Sequence, residues 1–202
     1  MIAIIDYGVG NLFSLSSSLS YIGCDVKITG DADEIVRADK LILPGVGAFE
    51  DAVRKLRESG LEEIIKGEAK NGKSIMGICL GMQLLFDESH EYGRHKGLGL
   101  IPGSVEYIGN YVNPALKIPH IGWNALDVVG SGKLTKYVKR GDFVYFVHSY
   151  FAKTAPEYIT STAEYGYPIT ATVERGNIMG CQFHPEKSGE VGLRILKAFS
   201  ED

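Results

Sequence analysis

The stretch "GICLGMQLLF", residues 77–86, sets a cysteine between two glycines at the join of two apolar patterns. Ahead of the join, "SIMGIC" has the short unbroken apolar character of a buried strand. Behind it, "LGMQLLF" reads as the opening two turns of a helix. A strand that feeds a helix this directly makes a tight corner, and Cys79 sits at its apex. A residue held on such a corner is strained, and its neighbours must be small enough for the backbones to approach; Gly77 and Gly81 meet that need. The turn would lift the sulfur clear of the sheet and set it at a helix N-terminus, whose positive dipole end lowers a thiol pKa. It would also aim the next N–H, that of Leu80, at the place where a tetrahedral oxyanion forms. By itself, however, a Gly-x-Cys-x-Gly corner is more often a small core thiol wedged between strand and helix.

Working outward, the first half of the chain keeps the same rhythm. "MIAIID" is strand-like, and 11–21 forms a helix with Leu12, Leu15 and Leu19 on one face. Strands follow at "CDVKI" and "KLILPG", then a helix over 49–70, before the strand and helix that meet at Cys79. This alternation predicts a parallel sheet covered by helices. From about Leu100 the pattern changes to β-branched, aromatic, turn-punctuated segments: "SVEYI", "HIGWNALDVV", "DFVYFVHSY", "YITSTAEYG" and "ITATVERGNIMGCQF". These read as strands, partly antiparallel, and a last helix spans about 191–199. The expected architecture is α/β, a single three-layer domain over 1–202 with one mixed, mostly parallel sheet between helices. Sheets of this kind bind ligands beyond the carboxyl ends of their parallel strands, which is where Cys79 falls.

Composition narrows the class of protein. At 202 residues, 45% hydrophobic and 23% charged, the chain has the make-up of a globular domain with a sizeable core. A formal net charge of −4 gives no basic excess for nucleic acid. The apolar opening ends at Asp6, too short for a signal peptide or a membrane span. Three cysteines, Cys24, Cys79 and Cys181, without CxxC spacing, disfavour a disulfide framework or a zinc site and suit a reducing cytoplasm. Cys24 opens an apolar strand and Cys181 falls on a strand's inner face, so both are expected to be buried thiols.

A nucleophilic Cys79 needs a base, and "CQFHPE", residues 181–186, offers one. In an extended segment Gln182 and His184 share one face, with Cys181 and Phe183 on the other. Pro185 ends the strand, and Glu186 is a carboxylate able to orient the imidazole. In such a set the histidine takes the thiol proton while the acid holds its tautomer. Alone, His184 is as readily a hydrogen-bonded structural residue and Glu186 a solvated loop charge. "LILPGVGAF", residues 41–49, is a buried strand followed by Pro44, Gly45, Val46 and Gly47; such a loop presents a free N–H, or is a plain turn. "DYGVGN" at 6–11 fails the dinucleotide fingerprint, since its third glycine position is Phe13. Trp123, His90, His95 and His120 carry no clustered partners that would make them metal ligands; the tryptophan reads first as a core anchor.

Taken together, "PGVGAF", "GICLGMQLLF" and "GCQFHPE" resemble the three signature blocks of the class I (triad-type) glutamine amidotransferases, in order and across most of the chain. "DYGVGNLFS", "IPHIGWN" (118–124) and "FVHSY" (146–150) are similar to the members of that family that serve histidine biosynthesis. The resemblance implies a flavodoxin-like fold and a glutaminase with Cys79 as nucleophile, His184 as base and Glu186 as its partner. By the same carry-over Val46 and Leu80 supply oxyanion N–H groups, and Gly47 leaves room for glutamine. Gln83, Glu91, Ser149 and Tyr150 hold its amino-acid end. No metal or organic cofactor is implied. The implied partner is a (β/α)₈ cyclase subunit that takes the ammonia to make imidazole glycerol phosphate and aminoimidazole carboxamide ribotide. Asn11, Trp123 and Lys187 would lie near that interface. The residues alone leave open a glutaminase of another pathway, a stand-alone cysteine hydrolase, or a regulatory module that keeps the fold without the chemistry.

Overall fold

Apolar runs that lack alternation belong to strands buried on both faces, and the first half of the chain folds accordingly. The computed structural model describes residues 1–202. Its first half runs β1 (Ile2–Ile5), α1 (Leu12–Tyr21), β2 (Val26–Thr29), α2 (Ala32–Arg37), β3 (Lys40–Gly45), α3 (Phe49–Glu58), α4 (Leu61–Lys70), β4 (Ser74–Cys79) and α5 (Leu80–Leu84). The second half runs β5 (Phe86–Ser89), β6 (His95–Lys96), β7 (Ile101–Tyr107), β8 (His120–Val128), β9 (Phe143–His148), β10 (Tyr150–Lys153), β11 (Ile159–Glu164), β12 (Pro168–Arg175), β13 (Ile178–Cys181) and α6 (Gly189–Ser200).

The main sheet has nine strands in the order β2–β1–β3–β4–β13–β12–β11–β8–β9. β2, β1, β3, β4 and β13 pair in parallel, whereas the remaining pairings are antiparallel. Alternate side chains of the central strands enter two cores. Ile2 and Ile4 of β1, with Met76 and Ile78 of β4, pack under Leu15 and Leu19 of α1 and Ile195 and Phe199 of α6. Ala3, Ile5, Leu41 and Ile75 face the opposite layer, α2 to α5.

That opposite layer differs from the expected one. It includes a second, four-stranded sheet, β10–β7–β5–β6, so the chain has two sheets rather than one. The helix expected over 49–70 is two helices, broken where Gly60 adopts a left-handed φ of 74° and α4 starts afresh. The two helical turns expected from Leu80 shrink to five residues. The cause is competition for carbonyls: those of Leu84, Leu85 and Phe86 accept the amides of Leu98, Leu100 and Gly99, so the next helical amides find no acceptor. Phe86 turns instead into β5. No helix is long and apolar enough to cross a membrane.

Candidate active site

Cys79 ends β4 with φ 54° and ψ −111°, a conformation that costs a side-chain-bearing residue energy and persists only when its surroundings enforce it. The enforcement comes from close backbone packing. A Cβ on Gly77 would lie 2.6 Å from the Gly81 carbonyl oxygen, and one on Gly81 would collide with the carbonyl oxygen of Leu43. Leu80 begins α5, so its N–H has no acceptor within the helix. In the parallel register of β3 and β4, Gly45 lies opposite Cys79, which brings the loop at 46–48 alongside the sulfur. The phenol of buried Tyr7 donates to the Pro44 carbonyl at 2.7 Å and fixes the peptide just before that loop.

On the neighbouring strand, β13 gives way to an extended segment that carries Gln182 and His184 to the same face. Cys181 and Phe183 go into the core, and burial pushes the Cys181 thiol well up. The His184 main chain is clipped to β9: its N–H donates to the Tyr145 carbonyl at 3.0 Å, and Ser188 Oγ accepts from Tyr145 N while donating to the His184 carbonyl. The 3₁₀ turn Pro185–Lys187 then folds Glu186 back, with Oε1 2.9 Å from His184 Nδ1. Burial alone would lower the His184 pKa, but hydrogen bonds to Cys79 and Glu186 outweigh it and raise it to about 9. These bonds favour the protonated imidazole, which faces the sulfur with the nitrogen that Glu186 leaves free.

These groups open on a cleft of about 440 Å³. Cys79, Leu80 and His184 line it, as do Val46 and Gly47 from the loop and Gln83, Glu91, Ser149 and Tyr150, the residues expected to hold a substrate. Glu186 stays behind the imidazole. Of the residues expected near a partner, Lys187 stands at the cleft, whereas Asn11 caps α1 without a side-chain bond and Trp123 lies on β8, both outside it. Trp123 is no core anchor, being 55% exposed beside Tyr145. With Ile121 and Phe143 it forms an apolar strip along the β8–β9 face. Glu91 already uses Oε2 to accept the Phe49 N–H at the start of α3, at 2.6 Å, and burial raises its pKa. Cys24 departs from expectation: it precedes β2 and is half-buried, because the strand begins two residues later. A larger hollow, about 670 Å³, lies between 130–136 and the end of α6; its lysines are paired with Asp202 and Glu201, and neither cysteine nor histidine lines it.

Sequence reading did not single out His148, Pro119 or Val147, which also line the cleft. His148 is the most informative of them. Its Nδ1 faces the Tyr150 carbonyl at 2.9 Å, so Nδ1 carries the proton and bare Nε2 accepts from His120 Nδ1 at 3.1 Å. His120 Nε2 accepts in turn from Asn124 Nδ2 at 3.3 Å. The His120 ring stacks between Phe146 and Tyr165. Burial holds His120 down to about 4 and His148 to about 3, so both are neutral.

A pH dependence follows. Groups whose folded pKa lies below the unfolded value of about 6.5 leave stability intact above that pH and cost it as pH falls, by up to about 1.4 kcal/mol per unit each. Urea midpoints should drop between pH 6.5 and 5, equivalent to roughly 2–4 kcal/mol for the pair. His184, with its raised pKa, contributes in full over that whole window and does not offset the loss. A flat stability profile from pH 7 to 5 would contradict the neutral pair.

The class of protein is now defined. The model of the class-I glutamine amidotransferase family matches residues 3–201, and the chain belongs to that family. Among curated proteins it is similar to the imidazole glycerol phosphate synthase subunit HisH of Listeria monocytogenes, with 49% identity over 201 residues, all of this chain and 95% of the relative. The HisH subunit of Caldanaerobacter subterraneus subsp. tengcongensis is 50% identical over 204 residues, covering 100% of this chain and 98% of its own. Of solved structures, a glutamine amidotransferase superposes with TM-score 0.76 at 18% identity, covering 98% of each chain. PurLQS from Thermotoga maritima does so with TM-score 0.76 at 21% identity, covering 99% of this chain and 97% of its own. These two establish the likeness of fold.

Proposed function

We propose that this chain is the glutaminase subunit of an imidazole glycerol phosphate synthase, acting in histidine biosynthesis in the cytoplasm. One observation above all carries the reading: HisH subunits match the chain from end to end at 49% and 50% identity. The whole of 1–202 serves as one glutaminase domain.

In this reading the Cys79 thiolate adds to the side-chain amide carbon of glutamine, and the N–H groups of Val46 and Leu80 receive the developing oxyanion. The intermediate collapses as His184 gives its proton to the departing ammonia, leaving a γ-glutamyl thioester on Cys79. A water molecule, deprotonated by His184, then cleaves the thioester and releases glutamate. Glu186 holds the imidazole in the tautomer both steps need. Gln83, Glu91, Ser149 and Tyr150 hold the amino-acid end of glutamine, and Gly47 leaves it space. Each step uses a thiol, protons and water, so the scheme calls for no metal or organic cofactor. The ammonia passes to a cyclase subunit that makes imidazole glycerol phosphate and aminoimidazole carboxamide ribotide. Asn11, Trp123 and Lys187 face that subunit, which the exposed apolar strip on β8 and β9 and the position of Lys187 at the cleft both favour.

A glutamine-like alkylating agent tests the site. It should label Cys79, with glutamine protecting, and spare Cys181, whose burial keeps it a thiol. Cys24 is half-buried, so it serves as the internal control that reacts with a non-specific reagent and ignores the glutamine analogue. Equal labelling of Cys181 and Cys79, read by peptide mass spectrometry, would show that the wrong thiol has been chosen.

A further inference from the structure

We infer that Gln182 is a further catalytic residue, donating a hydrogen bond from its side-chain amide to the Cys79 sulfur. The inference rests on the glutaminase reading above, in which that sulfur is the nucleophile.

The argument starts from a group with a single possible role. The Tyr150 carbonyl only accepts, and two donors converge on it: His148 Nδ1 and Gln83 Nε2, each at 2.9 Å. The Gln83 group at that carbonyl must therefore be its NH₂. That NH₂ spends its second hydrogen on the Gln182 side chain, at 3.0 Å, so the atom it meets there is the acceptor Oε1. The Gln182 amide is thereby turned with its own NH₂ toward Cys79, Nε2 lying 3.7 Å from Sγ. No alternative flip satisfies the set: reversing Gln182 sets its NH₂ against that of Gln83, and reversing Gln83 sets an oxygen against the Tyr150 carbonyl. Gln182 is fully buried, and Gln83 and His148 nearly so, so water does not compete for these groups.

A directed N–H at this distance does little for a neutral thiol and more for a thiolate, whose charge strengthens the bond. It favours the ionised sulfur independently of His184. It also receives the thiolate again when the thioester is cleaved. Gln83 acquires a defined part as well. Both its N–H groups are committed to the protein, which leaves only Oε1 for a ligand, so it is suited to a donor such as the α-ammonium of glutamine.

The test uses the full chain and does not depend on turnover. Iodoacetamide alkylation of Cys79, followed on its own peptide by mass spectrometry, is measured against pH for the wild type, Gln182→Met and Gln182→Glu. The methionine keeps the bulk without the donor, and its pH midpoint should rise by about one unit. The glutamate sets a carboxylate against the sulfur and should raise the midpoint further. With the cyclase present, kcat of Gln182→Met should fall roughly tenfold with KM little changed, because the bond acts on the reacting sulfur rather than on bound glutamine. If Gln182→Met folds and its alkylation midpoint stays at the wild-type value, the inference is overturned. Should the wild-type complex release no glutamate while the midpoints still shift, the glutaminase reading fails and the hydrogen bond stands.

Discussion

Cys79→Ser should leave a folded protein that releases glutamate at least three orders of magnitude more slowly than the wild type, on the order of the loss seen when a nucleophile is removed from a concerted set. Cys79 is buried in a corner too tight for change of shape but not for change of atom, since serine differs from cysteine there by one smaller atom. The same φ of 54° is as costly for one residue as for the other, so thermal stability should move little. What changes is the proton. His184, whose protonated form is favoured against burial by its bonds to Cys79 and Glu186, is matched to a sulfur as partner. A serine hydroxyl ionises far less readily, and the same imidazole leaves it protonated. Steady-state glutamate production, with circular dichroism as the folding control, checks the result. Turnover above a few per cent in a folded variant would mean that another group is the nucleophile.

The second large effect concerns the partner. The chain by itself should be a poor glutaminase, and the cyclase with its ligand bound should raise glutamate release by about two to three orders of magnitude, the amount one missing oxyanion donor costs. Free hydrolysis would waste glutamine and release ammonia to water, where protonation at neutral pH removes its nucleophilicity. The loop after β3 has the construction for a switch. Its entry is fixed, because Tyr7 holds the Pro44 carbonyl. Its exit is a glycine, Gly47, at φ 92° with open space where a side chain would be. A flip of one peptide between them would turn its N–H away from the cleft and back. Shifting that equilibrium by about 3–4 kcal/mol requires the liganded partner to favour the turned state by a similar margin. Glutamate production is measured for the chain alone, with the cyclase, and with the cyclase plus a substrate analogue. Equal rates in the first and third would end the gating idea and move the stand-alone hydrolase to first place.

What was legible in the sequence was local. The corner at Cys79 could be read because its determinants, two glycines and a change of apolar period, lie within ten residues. The face shared by Gln182 and His184 followed from the two-residue repeat of extended chain. The second sheet was not legible, since it exists because 98–101 captures carbonyls that α5 would otherwise have used, a contest between segments. The break at Gly60 was hidden for a different reason: the apolar pattern runs through it, and only the backbone conformation separates the two helices. Nothing local marks His148, because its importance comes from a carbonyl and a second histidine that the fold brings to it from β10 and β8. Cys24 was misjudged by two residues of strand boundary, enough to move it from the interior to the margin.

The position of the one tryptophan gives the chain a built-in spectroscopic label. Trp123 is the sole indole in 202 residues, and it projects from the middle of the apolar strip on β8. Its emission therefore reports one place only, without the averaging that several indoles impose. In the free chain the excited ring relaxes in water and emits at long wavelength; covered by another protein it would emit to the blue. With a partner free of tryptophan, a fluorimeter cuvette thus suffices to follow docking in real time, on unlabelled material, while glutamate release is read from the same sample.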